Sequence, residues 1–328
     1  MRVISHEQSL DLLDWDEIIA AIRQAYGSGY DEAMDPGRLV ARGSGSIFRT
    51  MAAASPSGRY MGAKLFAASN SQPRIRQLVI VLFSQENARI EAIIDGRAIT
   101  MFRTAATSAF AVDLLCRDEA IDVAVLGSGH EARSHVEAVN RVRDIRSLKV
   151  FSPTAANRVD FAKHFSDRLG LTCVASDSAE SAVANAGLVL ATARSHDETP
   201  IVKREWCQDD VTIVSIGSTV PEQREIGPDI IDHAKLVVCD NVREVLEETG
   251  DLIAARRQGV DVSDKVFSLA AISSKRAEGW NIPPGLRLFK SVGSGLQDIV
   301  AAECVLELAK SRDIGVETQV DIGVAIRP

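Results

Sequence analysis

The sequence has no surplus of basic residues: 45 Asp and Glu outnumber 37 Lys and Arg, giving a net charge of −8 over 328 residues. Sequence-independent binding of a polyphosphate chain needs a basic face, so this balance argues against a nucleic-acid partner. It leaves small anionic substrates open, because they need only a local cluster of cations. Cysteine is scarce and poorly placed for bridging. Cys116, Cys173, Cys207, Cys239 and Cys304 are odd in number, scattered and mostly set in apolar runs, the pattern of reduced thiols and not of a disulfide framework or a zinc site. No hydrophobic run approaches membrane-spanning length, and the opening MRVISHEQSLDLLDWDEII carries acids where a signal peptide needs an apolar centre. Internal repeats and low-complexity segments are also missing. What is present, 46% hydrophobic and 25% charged residues, describes an ordinary globular protein long enough for two cores, expected in the cytoplasm.

The chain is organised around residues 121–139, IDVAVLGSGHEARSHVEAV. Ile121 to Leu126 is apolar on both faces, as a central strand of a parallel sheet must be. A turn, Gly127-Ser128-Gly129, follows, and then a helix opened by His130 and Glu131, with Ala132, Val136 and Val139 at helical spacing. Gly127 permits the tight turn, Gly129 lets a pyrophosphate approach the backbone, and Ala132 lets the helix pack closely on the strand. Free N–H groups at the helix start would face the phosphates. Such a glycine turn also occurs without a ligand. The second strand, Leu148 to Phe151, arriving about twenty residues later, favours the dinucleotide reading. His130 then lies over the pyrophosphate more readily than it serves catalysis.

Before this stretch, residues 5–27 suggest one or two amphipathic helices. The runs GSIFRTMAAA, YMGAKLFAA, QLVIVLFS and ARIEAIIDG between about 36 and 99 read as an antiparallel sheet. Residues 100–116 have helical spacing and would carry the chain into a second domain. After the stretch, LKVFS, a helix at 155–168, LTCVAS, a helix at 178–186, GLVLATA, VTIVSIG and KLVVCDN follow the βαβ rhythm of a doubly wound sheet of about six strands. Ligands gather at the carboxyl ends of such strands, which puts Thr192, Ala193, Ile216, Gly217 and Ser218 among the cofactor candidates. A final helix spans about 296–313. The fold class is α/β: a Rossmann doubly wound parallel sheet plus an α+β domain.

An acid normally ends the second strand and holds the adenosine ribose, favouring NAD. Here Ser152 stands in its place, followed by Thr154 and Arg158. Nothing there repels a 2′-phosphate, and all three side chains could donate to one. Ser152-Pro153-Thr154 could equally be a helix cap. NAD(P)H is thus the expected cofactor, with a slight lean to NADP and the choice left open.

Three segments, FRTAATSAFAV with the VAVLGSGHEARSHVEAV that follows, IVSIGSTVPEQREI, and LFKSVGSGLQDIVAAE, together with the lysine-bearing YMGAKLFAA, resemble the ornithine cyclodeaminase/mu-crystallin family over nearly the whole chain. The resemblance implies a homodimer. It also implies a substrate-binding and dimerisation domain made of 1–113 with 296–328, a Rossmann domain of 114–295, and an active site in the cleft. It assigns a substrate carboxylate to two arginines and a lysine, which fall on Arg38, Lys64 and Arg103, Arg38 by spacing alone. An ammonium inside an apolar strand, as at Lys64, is costly unless it meets an anion, and an arginine fork grips a carboxylate through two parallel bonds. Ser291 and Gly293 match the family's nicotinamide-side loop.

Two positions depart from the family. Cyclodeaminases carry an aspartate where Thr219 stands, and threonine cannot ionise to serve the proton transfers of ammonia loss and ring closure. Ser294 stands where many relatives are apolar, and its hydroxyl would meet either a second polar group of the substrate or solvent. With Arg74 and Arg76 nearby in sequence, a dicarboxylate is worth considering. The reading is therefore an NAD(P)H-dependent imine reductase or amino-acid dehydrogenase acting on a small α-imino or α-keto acid, a range that includes dicarboxylic imines such as iminosuccinate. Arg38 and Arg103 would hold the carboxylate, Lys64 would act on the imine nitrogen, and Thr219 and Ser294 would line the substrate. The alternatives are an ornithine or lysine cyclodeaminase using another proton shuttle, and a non-catalytic, crystallin-like NADP-binding protein.

Overall fold

The computed structural model describes residues 1–27, 30–117, 120–193 and 198–318. They form two compact units, Met1–Thr107 with Ser294–Pro328, and Ser108–Gly293. In chain order the first unit begins with β1 (Arg2–Ile4), α1 (His6–Leu12), α2 (Trp15–Gly27), β2 (Arg38–Gly43), β3 (Ser46–Ala54), β4 (Tyr60–Ser69), β5 (Ile75–Ser84), β6 (Ile90–Asp95) and α3 (Gly96–Leu115), whose last turns belong to the second unit. The second unit continues with β7 (Ala120–Leu126), α4 (His130–Val139), β8 (Asp144–Phe151), α5 (Ala155–Leu169), β9 (Thr172–Ala175), α6 (Ala179–Val183), β10 (Leu188–Ala191) and β11 (Thr212–Ser215). Next come α7 (Pro228–His233), β12 (Leu236–Cys239), α8 (Val242–Glu248), α9 (Gly250–Arg257), β13 (Val266–Ser268), α10 (Leu269–Ala277) and β14 (Arg287–Lys290). The chain then returns to the first unit with α11 (Gly295–Ser311) and β15 (Val316–Glu317).

The first sheet has seven strands in the order β15-β1-β6-β5-β4-β3-β2. Its centre is the expected antiparallel run, but the sheet is mixed, because β1 lies parallel to β6. β1, β2 and β15 were not expected as strands. β1 and β15 are only 3 and 2 residues long, and β2 is mostly exposed, so neither length nor alternation marks them. Cross-strand partners share a face of a sheet. One face carries Met51, Ile80, Leu82, Ala92 and Ile94, all buried, beneath α11, which packs on β3, β4 and β5. The other carries Leu65, Val79, Val81 and Ile93, apolar but only half-buried.

The second sheet has eight strands in the order β13-β12-β14-β11-β10-β7-β8-β9, every neighbouring pair parallel. This is the doubly wound topology, with its switch point between β7 and β10, where ligands bind in such sheets. Two strands exceed the six expected. β14 enters the middle, between β11 and β12, from residues far down the chain, and its Arg287 and Lys290 had masked it as a strand.

Asp95 starts α3 by accepting a hydrogen bond from the Arg97 amide at 2.9 Å, as an N-cap carboxylate should. Contrary to the expectation from the sequence, this helix is long and apolar enough to cross a membrane, alone among the described residues. With 78% of the apolar stretch buried inside the protein, it is a core helix.

Gly62, in β4, shows how tightly the first unit is packed. A Cβ there would collide with the Val81 carbonyl oxygen and lie 3.3 Å from Ile299 Cδ1 of α11. Gly62→Ala should therefore destabilise the protein by about 1–3 kcal/mol through forced backbone movement, read from the midpoint of urea unfolding.

Candidate functional site

In the first unit, Arg38 of β2 pairs in register with Met51 of β3, and Met51 with Lys64 of β4. Arg38 and Lys64 therefore share the face covered by α11, two strands apart. The first turn of α11 brings Asp298 to this row: Lys64 Nζ lies 2.6 Å from Asp298 Oδ2, and Arg103 Nε of α3 donates to Asp298 Oδ1 at 3.0 Å. Arg103 Nη1 donates to Gln297 Oε1 at 2.8 Å, and Gln297 Nε2 donates to the Tyr26 hydroxyl at 3.0 Å. Lys64 is 5% exposed, Arg103 6% and Asp298 not at all.

Asp298 is the site residue that sequence reasoning missed. A lysine in an apolar strand pointed to an anion from the substrate, but the protein supplies the first anion itself. The same argument, a charge set within a helix buried all round, could have found it. Two cations on one acid still leave a positive charge in a dry site. Burial is the largest influence on Lys64 and lowers its pKa to about 8. Asp298 opposes the fall, while Arg103 and Arg38 add to it.

Ser294 is held at the start of its own helix. It is the N-cap of α11, 2% exposed, and its hydroxyl accepts from the Gln297 amide at 3.4 Å. The hydroxyl is buried and holds the helix turn that carries Asp298.

In the second unit the glycine turn links β7 to α4. Gly127 has φ +121, and a Cβ there would lie 3.0 Å from Thr192 Oγ1 and 3.2 Å from its carbonyl oxygen. The end of β10 therefore leaves room only for glycine. Gly129, the N-cap of α4, is different: a Cβ would meet nothing within 4 Å. The protein's own packing gives no reason for glycine there, whereas close approach of a ligand's phosphate does. Ala132 is fully buried against the strand. These residues fit a dinucleotide.

At the end of β8, Ser128 Oγ donates to Ser152 Oγ at 2.9 Å, and Arg158 Nη1 donates to the Ser152 carbonyl at 3.1 Å. Thr154 is the N-cap of α5, but its side chain makes no capping bond. His130 is 76% exposed in its side chain and 3.5 Å from Glu131. Of the other residues singled out, Thr192 bonds back to Leu126 and Ser218 Oγ donates to the Gln223 carbonyl at 2.6 Å. The Thr219 amide donates to Gln223 Oε1 at 3.3 Å, closing a turn after β11. A Cβ on Gly217 would come within 2.9 Å of the Ala193 carbonyl oxygen, so the segments after β10 and β11 run close together beside Ile216. The Ser291 hydroxyl and the Gly293 amide both donate to Asp240, at 2.6 and 2.8 Å. Arg74 and Arg76 are exposed at the start of β5.

A second buried charge cluster supports the end of β11. Lys290 Nζ is 3.2 Å from Asp251 and donates to Ser215 Oγ at 2.9 Å. Glu225 accepts from Ser215 Oγ at 2.5 Å and from the Gly217 amide at 2.7 Å. Burial dominates at Glu225 and pushes its pKa up to about 7. Lys290 opposes that rise and Asp251 adds to it.

The fold and the turn define a protein with a Rossmann-type dinucleotide-binding unit joined to an α+β unit that gathers buried cations. The chain belongs to the ornithine cyclodeaminase/mu-crystallin family, whose description matches residues 2–313. A Delta(1)-pyrroline-2-carboxylate reductase of Bacillus cereus is 30% identical over 238 residues, 72% of each chain. Among solved structures, the Delta(1)-pyrroline-2-carboxylate reductase of Thermococcus litoralis, in complex with NADH and L-proline, superposes with a TM-score of 0.86 at 24% identity, covering 97% of this chain and 100% of that one. The iminosuccinate reductase of Paracoccus denitrificans in complex with NAD+ gives 0.86 at 20%, covering 98% and 99%. These relatives are reductases, and both solved structures hold a nicotinamide nucleotide.

The Glu225 cluster carries a pH test. Folded protein keeps a proton at Glu225 that the unfolded chain loses above its ordinary value of 4.5. Native stability contributed there is therefore lost as pH rises from about 4.5 to about 7 and levels off beyond. Glu225→Gln removes this dependence, so urea unfolding should show the variant gaining on the parent between pH 5 and pH 8.

Proposed function

We propose that the protein is an NAD(P)H-dependent imine reductase that converts a small α-imino acid to the amino acid, whether the imine is cyclic, as in pyrroline-2-carboxylate, or formed from an α-keto acid and an amine. A dicarboxylic imine such as iminosuccinate falls within this class. The observation that carries the reading is the buried Lys64–Asp298–Arg103 group, which has a surplus positive charge and an ammonium whose pKa of about 8 suits proton transfer near neutral pH.

Gly127, Ser128, Gly129, His130, Glu131 and Ala132 would hold the pyrophosphate, and Ser152, Thr154 and Arg158 the adenosine ribose side. Thr192, Ala193, Ile216, Gly217, Ser218, Ser291 and Gly293 would frame the nicotinamide side. When bound, the nicotinamide supplies the hydride to the imine carbon. Arg38 and Arg103 bind the α-carboxylate and orient the C=N bond. Lys64 Nζ gives a proton to the nitrogen as the carbon receives the hydride, so C=N becomes CH–NH and Lys64 regains its proton from water. Asp298 holds both cations in place, and burial in the site keeps their charge undiluted. Thr219 has no ionisable group with which to run cyclodeamination.

The test is oxidation of NADH and NADPH in the presence of pyrroline-2-carboxylate, or of pyruvate with methylamine. Lys64→Met should lower turnover by about a hundredfold or more. In the parent, kcat/KM for imine reduction should fall as pH rises through about 8, where Lys64 loses its proton, and the variant should lack that limb. Ammonia release from ornithine without net cofactor oxidation would instead mark a cyclodeaminase, and cofactor binding without turnover a crystallin-like protein.

The half-exposed face of the first sheet supports a homodimer through this unit. Phe48 and Leu39, 42% and 75% exposed, join Leu65, Val79, Val81 and Ile93 on it. A face meant for water alternates to polar residues at such positions, and a second copy would cover this one. Phe48→Asp should shift the species seen by sedimentation velocity from dimer to monomer.

A further inference from the structure

Glu225 lies in the segment after β11, fully buried, and it is bonded to three different pieces of the second unit. Its Oε2 accepts from the Ser215 hydroxyl and the Gly217 amide at the end of β11. Its carbonyl accepts from the Ile201 and Val202 amides at 2.8 and 3.1 Å, in the segment after β10, and Val202 forms a parallel bridge with Ile226. Its own amide donates to Asp251 Oδ1 at 2.8 Å, in the first turn of α9. Lys290 of β14, 3.8 Å from Oε2, is paired with the same Asp251, and both are fully buried. The remaining oxygen, Oε1, has no hydrogen-bond partner among the described residues and sits against Gly217, where a Cβ would collide with it. Farther out, Arg224 lies 3.0 Å from Glu198 and pins the same two segments together.

The place of these segments in the sheet gives the arrangement its meaning. The strand order runs β11-β10-β7-β8. With the pyrophosphate at the glycine turn after β7 and the adenosine toward β8, the other half of a dinucleotide crosses the end of β10 toward β11. It then meets the main chain after these two strands, at Ala193 and Gly217. Those stretches have left their strands, so no ladder fixes them; side-chain bonds must do so. Removing the Glu225 carboxyl would leave the Ser215 hydroxyl and the Gly217 amide without their buried acceptor.

We propose that Glu225 is a positioning residue for the nicotinamide half of the cofactor. Its carboxyl holds Ser215 and Gly217, its main chain holds the segment after β10, and together they set the surface on which the ring lies. It acts through Gly217 and takes no part in the transfer of hydride or proton. The proposal rests on the reading that Gly217 and Ser218 frame the nicotinamide side, and adds to it the residue that holds them there.

The experiment separates the two halves of the cofactor. Calorimetric titration compares whichever of NADH and NADPH the parent binds more tightly with the matching fragment that lacks nicotinamide, ADP-ribose or 2′-phospho-ADP-ribose. Parent, Glu225→Ala, Glu225→Gln and Ser215→Ala are measured. Glu225→Ala should weaken the whole cofactor by about tenfold or more and leave the fragment within about twofold of the parent. Because burial keeps a proton on Glu225 up to about pH 7, neutral glutamine of the same shape should restore cofactor binding. Ser215→Ala, which removes one of the two donors, should part the two affinities in the same direction by about 3- to 10-fold, and it decides the question if Glu225→Ala does not fold. Loss of cofactor and fragment by the same factor, or no change in either, would overturn the proposal and leave the dinucleotide reading standing. A parent that binds neither ligand overturns that reading and the proposal with it.

Discussion

Asp298 is the constraint on which the first unit's chemistry depends. A lysine and an arginine that are 5% and 6% exposed cannot remain charged in an apolar core without an anion, and losing one partner of such a group leaves an uncompensated buried charge. The carboxylate reaches them because α11 starts where it does: Ser294 caps the helix, and the acid in its first turn sits favourably at the helix N-terminus. One side chain thus joins a strand and a helix from the first third of the sequence to a helix beginning at residue 295. It also sets the electrostatic state of the site, since a cation pair sharing one acid retains the attraction that an incoming carboxylate needs.

The second unit handles its buried charges by a different route. There Lys290, Asp251 and Glu225 are enclosed without exposure, and their bonds run to the backbone and hydroxyl groups that shape the end of β11. Asp240 does the same for the loop after β14. Buried carboxylates that accept from loop amides hold those loops in one conformation. The glycine turn, by contrast, contributes by what it leaves open.

The Rossmann sheet was legible because its strands are buried on both faces and appear as short apolar runs between helices. The glycine turn was legible because its steric requirements are strict. The antiparallel centre of the first sheet could be read from alternation. What escaped were elements with mixed composition: β14, whose four residues include Arg287 and Lys290, and the edge strands, which carry no burial pattern. Lys64 and Arg103 could be singled out as expensive charges in apolar settings, but their counter-ion lay about two hundred residues away in sequence, and only packing reveals such a pairing. Ser294 has a local role that composition alone does not separate from a substrate contact. A serine just before an apolar run is more often a cap than a contact, and here the capping geometry places it.

The position of β14 has a consequence for how the molecule is made. This strand lies between β11 and β12 in the parallel sheet, yet it is synthesised after both of them and after β13. The sheet therefore has a gap in its middle until residues 287–290 have left the ribosome. The helix that covers the first sheet comes later still. Pairings of such long sequence separation form slowly, and the incomplete intermediates expose apolar surface and unpaired strand edges. Neither unit can close its core before β14 and α11 have emerged. The nascent chain should depend on residues 287–311 to become native, and it is most open to chaperones, proteases and self-association until they have emerged.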